Sequence, residues 1–125
     1  MIQDYRDLVV WQKAMEVAKQ VYLLVKGLPK EEIYALSNQM RRAAVSIPSN
    51  IAEGNARNSA KEYAQFLSIA RGSKAELETQ LLLCKEIGYL TQTEIQPLLV
   101  LLKEIGKMIS VMIRKLQNSS LLPLP

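Results

Sequence analysis

Histidine is absent from the 125-residue chain and cysteine occurs once, at Cys84. The first absence excludes imidazole as a metal ligand, general base or pH switch. The second excludes an intrachain disulfide and a cysteine-based zinc site. No GxxxxGK(S/T) or GxGxxG string occurs, so a phosphate-cradling glycine loop is not expected. Long apolar runs are missing as well. The longest, Leu98 to Leu102, is far short of the ~20 residues that cross a bilayer. The opening MIQDYRDLVVW lacks the basic and apolar regions of a secretory signal, so a soluble, cytoplasmic protein with no membrane partner is expected. Nothing reads as a strand, and no internal repeat, low-complexity tract or linker interrupts the chain.

What is present is helical period. Leu8, Trp11, Met15, Ala18, Tyr22 and Val25 predict one face of a first helix from about Leu8 to Leu28, with Asp7 as its cap and Gly27-Leu28-Pro29 as its end. Ile33, Leu36, Met40, Ala43, Ala44, Ile47 and Ile51 predict a second helix that follows Lys30-Glu31-Glu32 and stops at Gly54. Ser59 to Glu62 has the spacing of a capping box, and Tyr63, Phe66, Ala70, Ser73, Leu77, Leu81 and Cys84 carry the third helix to Gly88. Thr91 to Glu94 repeats the box before Ile95, Leu98, Leu102, Ile105, Ile109, Met112 and Leu116, with Pro97 tolerated in the first two turns. Connections of a few residues between amphipathic helices imply an all-α, antiparallel up-down-up-down four-helix bundle. Residues 1–117 make one domain and 118–125 a flexible C-terminal tail.

Two distributions go beyond fold. At about 100° per residue, Ile69, Leu83 and Ile87 fall well beside the third stripe, Leu101 and Met108 beside the fourth, and Val100 and Val111 nearly opposite it. Faces this widely apolar predict self-association. Charge is segregated too. From residue 41 to 74 there are six cations, Arg41, Arg42, Arg57, Lys61, Arg71 and Lys74, against Glu53 and Glu62, and the remaining charges cancel. Around a hairpin this excess is expected to gather at one end of the bundle, as a candidate phosphate-binding surface or as a solvated face that keeps the protein soluble.

The strings Tyr5-Arg-Asp-Leu-Val-Val-Trp11, Leu28-Pro-Lys-Glu-Glu32, Gln39-Met-Arg-Arg-Ala-Ala-Val-Ser-Ile47, Asn50-Ile-Ala-Glu-Gly54 and Glu76-Leu-Glu-Thr-Gln80, with Glu62-Tyr63, Phe66-Leu67 and Ala70-Arg-Gly-Ser73 between, carry a resemblance. From about Tyr5 to Leu90 the chain closely resembles the four-helix-bundle proteins encoded in intervening sequences of bacterial 23S ribosomal RNA genes, and the likeness fades over the fourth helix. It implies an antiparallel four-helix subunit in a homopentameric ring. That family is also similar in fold to the accessory variability protein of diversity-generating retroelements, which implies a reverse transcriptase or other nucleic-acid enzyme as a partner. The resemblance speaks to fold and assembly rather than to an activity.

Within SIPSNIAEGNAR, residues 46–57, the apolar phase survives Pro48, so a continuous, kinked helix is expected rather than a break. Ser46 and Ser49 are candidates to satisfy the freed carbonyls. Gln39, Arg42, Ser46, Asn50 and Glu53 form a polar stripe. Either Asn50 and Glu53 partner Arg42 or Arg71 in a network that fixes register, with Gln39 and Ser46 beside them, or the arginines face phosphate and Asn50 orients them. Gly72 is expected to admit a close neighbour.

Catalysis is not expected. Glu76 and Glu78 lie about 200° apart around a helix, no serine or cysteine has a histidine base, and the Glu-x-x-His motifs of di-metal bundles are missing. No metal or cofactor is called for. Trp11, Tyr22, Tyr63 and Phe66 read as packing rather than base-stacking residues, while Tyr5, Tyr34 and Tyr89 lie near helix ends. The expected function is a non-catalytic homo-oligomer, a pentamer as the resemblance implies, that contacts RNA or DNA phosphates through Arg41, Arg42, Arg57, Lys61, Arg71 and Lys74. The alternative is an assembly scaffold or protein-binding adaptor.

Overall fold

The computed structural model describes residues 4–120. Among these, four long helices, α1 (Val9–Val25), α2 (Leu36–Asn55), α3 (Ala60–Glu86) and α4 (Gln92–Ser120), account for most of the chain, and two 3-10 turns, Tyr5–Asp7 and Lys30–Glu32, precede α1 and α2. No strand occurs among the described residues. α2 packs against α1 and α3, α4 packs against α3 and α1, and the diagonal pairs do not meet, which makes a four-helix bundle. Partners on neighbouring helices run in opposed order: Met40 meets Cys84, Ser46 meets Ser73 and Gly54 meets Tyr63 and Phe66. On the other side of α3, Arg71 meets Ser110 and Lys74 meets Gly106.

Local chemistry sets three of the helix ends. Glu62 N–H donates to Ser59 Oγ at 3.1 Å, and the Ser59 hydroxyl reaches the Glu62 carboxylate at 3.4 Å. Thr91 and Glu94 cap reciprocally, backbone to side chain in both directions, at 2.9 and 3.2 Å. α3 ends in a Schellman motif: Gly88 has φ +83°, its N–H donates to Lys85 O, and Tyr89 N–H donates to Cys84 O at 2.8 Å. The start of α1 differs from expectation. Asp7 does not cap it; Leu8 occupies the cap position without a side-chain bond, and Asp4 caps the preceding 3-10 turn by accepting from Arg6 N–H. α2 begins at Leu36 rather than near Ile33, because the chain closes a 3-10 turn at Lys30–Glu32 and Ala35 leaves the helical region at φ −122°, ψ −103°. Ile33 is accordingly exposed. α4 continues three residues past its expected end at Gln117, and residues 121–125 of the expected tail lie outside the described residues.

The core is built from Met40, Ile47, Ile51, Leu67, Leu77, Leu81, Ile95, Leu102, Ile105 and Ile109, all fully buried. α1 enters it with Val10, Ala14, Val17, Ala18, Val21 and Val25, a stripe rotated by about one residue, or 100°, from the one expected. Met15 and Tyr22, expected inside, are exposed. Both stripes have helical period, and the buried one is made of the shorter side chains, valine and alanine. Trp11 is half-buried, with its ring against Tyr5 at 5.4 Å in an edge contact.

α2 is continuous through Pro48, which is buried. The Ser46 hydroxyl does not turn back onto the helix but crosses to Ser73. α2 ends at Asn55, one residue past Gly54. A Cβ on Gly54 would fall 2.9 Å from Phe66 Cβ and from Tyr63 Cδ1, so its lack of a side chain sets how closely α2 approaches α3. Gly72 is the reverse: a Cβ would meet nothing within 4 Å, so the close neighbour expected there is not supplied by this chain. Ile69, Leu83, Ile87, Val100 and Val111 are exposed as expected, whereas Leu101 and Met108 are half-buried against the core.

Candidate nucleic-acid interface

The six cations expected at one end of the bundle do not gather there. α helices rise about 1.5 Å per residue, so Arg41, Arg42 and Lys74 stand roughly 20 Å from the α2–α3 turn and Arg71 roughly 17 Å. Rotation about the helices separates them further. Arg41 turns toward the α1–α2 connection, where its Nη2 donates to Ile33 O at 3.3 Å. Arg42 stands exposed on the rim between a groove holding Tyr22, Asn38 and Val45 and a second holding Gln39, Ser46, Ser73 and Glu76. Lys61 borders a groove of its own with Ala64, Gln65, Ser68 and Leu116.

Arg57, beside the turn, is already engaged. Its Nη2 lies 3.0 Å from Glu53 Oε1, its Nη1 3.9 Å from Glu62 Oε2, and its guanidinium 4.7 Å above the Phe66 ring centre. Two carboxylates and a ring face offset that charge locally. These contacts brace the turn, where Asn55 also donates to the Tyr63 hydroxyl at 3.3 Å.

Arg71 and Lys74 belong to a different surface. Together with Lys103, Lys107 and Arg114 they line one groove between α3 and α4, about 500 Å³ in volume, with Gly106, Ser110 and Val111 completing it. Arg71 Nη1 donates to Ser110 Oγ at 3.2 Å, which fixes the guanidinium across the groove. Lys74 Nζ lies 3.1 Å from Glu78 Oε1, one turn along α3. Its stem lies over Gly106 of α4, where a Cβ would come within 2.8 Å of Lys74 Cε. Five lining side chains are cationic and none is acidic. Glu104, the acid nearest in sequence to Lys103, points away and bonds Lys13 of α1 at 2.8 Å.

Lys103, Lys107 and Arg114 are functional candidates that summing charge along the sequence overlooks, because acids spread over the rest of the chain cancel them in the count. A signal for them does exist: positions 103, 107, 110 and 114 step by four, three and four, the spacing of one helix face. No aromatic side chain lines the groove.

The polar stripe of α2 divides. Asn50 Nδ2 donates to Ser46 O at 2.8 Å and to Ser46 Oγ at 2.9 Å, and Ser46 Oγ lies 2.8 Å from Ser73 Oγ. This chain of bonds ties α2 to α3, but neither Arg42 nor Arg71 takes part, and Glu53 is held by Arg57 instead. Gln39 is exposed in the adjoining groove. Below it on α3, Gln80 Nε2 reaches Glu76 at 3.4 Å, while Gln80 Oε1 is buried with no partner.

Other chemistries find little support in the described residues. No three His, Cys, Asp or Glu side chains gather where they would hold a metal ion. Cys84 is buried, its Sγ 3.7 Å from Met40 Sδ, and burial, with a smaller contribution from Glu32, pushes its thiol pKa up. No described helix is long and apolar enough to cross a membrane.

No curated protein matches the chain. Among solved structures, it is similar to a protein of unknown function from the S23 ribosomal protein family of Bacteroides thetaiotaomicron, with a TM-score of 0.78 and 28% identity, covering 84% of this chain and 98% of that one. The description of the 23S rRNA-intervening sequence proteins fits residues 6–111, a span that reaches well into α4, past the point where the sequence likeness fades. With four helices, a matching solved fold and a match over most of its length, the chain belongs to the family of 23S rRNA-intervening sequence proteins.

Proposed function

We propose that this protein is a non-catalytic homo-oligomer that binds RNA or DNA through phosphate, with the α3–α4 groove as its contact surface. The observation that supports this reading is the five cations around one groove with no lining carboxylate. Cations so arranged release counterions from a phosphate backbone on binding, and the absence of aromatics favours backbone contact over base stacking. The revised binding set is therefore Arg71, Lys74, Lys103, Lys107 and Arg114, with Arg42 and Lys61 at neighbouring rims. The family name makes structured RNA the first ligand to try. Binding to such an RNA is expected to weaken linearly in log affinity against log salt. Changing Lys103, Lys107 and Arg114 to Gln is expected to reduce that slope by about 2 to 3. No binding at low salt, or an unchanged slope in the triple variant, overturns the reading.

The subunit is an antiparallel up-down-up-down bundle, which the opposed pairings of α2 with α3 and of α3 with α4 support. It bends at Pro48, where the ring removes the bond to Ala44 O. Copies assemble into a ring, with a pentamer favoured by the family resemblance, and exposed Ile69, Leu83 and Ile87 on α3 support a covered face. Sedimentation of a monomer at micromolar concentration overturns the assembly. The cytoplasm is the proposed compartment. The protein is not an enzyme in this reading, since its one thiol is buried and its carboxylates are dispersed or paired.

The second reading is an assembly scaffold or adaptor for a nucleic-acid enzyme such as a reverse transcriptase. The same exposed aliphatics, with Leu82 beside them, favour it. Recovery of a protein partner that survives nuclease treatment supports the adaptor; loss of that partner on nuclease treatment supports direct nucleic-acid binding.

A further inference from the structure

We infer that Gly106 is a positioning residue, whose missing side chain holds the Lys74 ammonium at the base of the α3–α4 groove to meet a phosphate of a single nucleic-acid strand. The inference rests on the reading above that this groove binds nucleic acid.

Gly106 is buried within the 29-residue helix α4, where glycine is the least favourable residue after proline. A Cβ there would lie 2.8 Å from Lys74 Cε, 3.0 Å from Nζ and 3.3 Å from Cδ. These three nearest atoms all belong to one lysine side chain, and none is backbone or core. The space left by the glycine is therefore filled by the end of Lys74, in contrast to Gly54, whose space is filled by Tyr63 and Phe66.

That placement has a consequence for charge. Lys74 is only 20% exposed, whereas Arg71, Lys103, Lys107 and Arg114 stand exposed around it. Its ammonium has one carboxylate, Glu78 at 3.1 Å, in a groove that otherwise presents cations. A phosphate entering the groove supplies a second counter-charge to an ammonium already in place, with no side-chain ordering left to do. A recessed cation is reached by a narrow anion. One strand presents its phosphates singly, while a duplex is broader than the gap between two packed helices and rests on the exposed rim.

The test is Gly106→Ala, with Lys74→Met and the double variant, measured on a single-stranded RNA and on its duplex across a salt series. A Cβ displaces a flexible side-chain end, so the melting temperature of Gly106→Ala is expected to be unchanged or raised. Its single-strand affinity is expected to fall several-fold at low salt, with the salt slope reduced by about one. Lys74→Met is expected to match it, and the double variant to lose no more than either single. Unchanged binding in Gly106→Ala overturns the inference, as does a loss that adds to that of Lys74→Met. Equal sensitivity of duplex binding overturns the assignment to a single strand. If Gly106→Ala melts below the unaltered protein, Lys74→Gln decides: unchanged affinity and slope overturn the inference. An unaltered protein that binds neither nucleic acid overturns the groove reading itself.

Discussion

The hydroxyls of Ser46 and Ser73 meet at 2.8 Å between α2 and α3, and Asn50 donates to Ser46 from one turn further along α2. Ser73 is almost fully buried, so its hydroxyl depends on this partner. Ser46→Ala is expected to cost about 1–2 kcal/mol by leaving Ser73 and Asn50 short of a bond. The double change Ser46→Ala with Ser73→Ala is expected to cost clearly less than the sum of the two singles. Urea melts of the four proteins measure both numbers, and strict additivity would show that the contact carries no coupling.

The same substitution is expected to destabilise at two glycines and to stabilise at a third. Gly54→Ala drives a methyl into Phe66 and Tyr63 and is expected to destabilise by about 1–3 kcal/mol. Gly88→Ala forces a side chain onto φ +83° and is expected to cost about 1–2 kcal/mol. Gly72→Ala enters open space in a helix interior and is expected to stabilise by about 0.5–1 kcal/mol. Thermal or denaturant melts of the three, read side by side, check the order; a destabilised Gly72→Ala contradicts the open site.

Cys84 reports on the core. Its burial and raised thiol pKa keep the thiolate scarce and out of reach at neutral pH. Labelling by a disulfide reagent is expected to be slow in the native protein and to follow global unfolding as denaturant is added. Rapid labelling without denaturant contradicts the packing of α3 on α2.

The N-terminal turn predicts a pH dependence. Hydrogen bonds from the Arg6 side chain and then its backbone hold the Asp4 carboxyl at about 2 against an ordinary 3.8. A carboxyl lowered in the folded state stabilises above its ordinary value and loses that contribution as pH falls through its folded value. The difference between the native protein and Asp4→Asn is expected to be level above pH 3.8 and to vanish toward pH 2. Its size is small because the pair is exposed. A proton-resolved titration of Asp4 with a midpoint at its ordinary value contradicts the contact.

What was legible in the sequence was what depends on neighbours in the chain. Ser59 with Glu62, Thr91 with Glu94, and Gly88 act within one turn, and all three helix ends form where the spacing placed them. The unbroken phase across Pro48 likewise foretold a continuous α2. The rotation of α1 was not legible, because it carries two apolar stripes of equal period, and only packing chooses between Val17 and Met15. The cationic groove was half legible. Arg71 and Lys74 stood out by local charge excess, but Lys103, Lys107 and Arg114 join them only when α3 and α4 are side by side. The close approach expected at Gly72 occurs at Gly54 for the same reason: whether a glycine is crowded is decided by the helix across from it.

The joints between helices are unequal. The α2–α3 turn has Arg57 braced on Phe66, and the α3–α4 turn has a Schellman motif running into a reciprocal cap. The α1–α2 joint has a 3-10 turn, an α2 start with no side-chain cap, and Tyr34 at 94% exposure. The molecule thus has a seam. α2, α3 and α4 are clasped at their turns, whereas α1, the shortest of the four helices, is tied in from its sides, by Arg41 on Ile33 O at its joint and by Lys13 on Glu104 of α4.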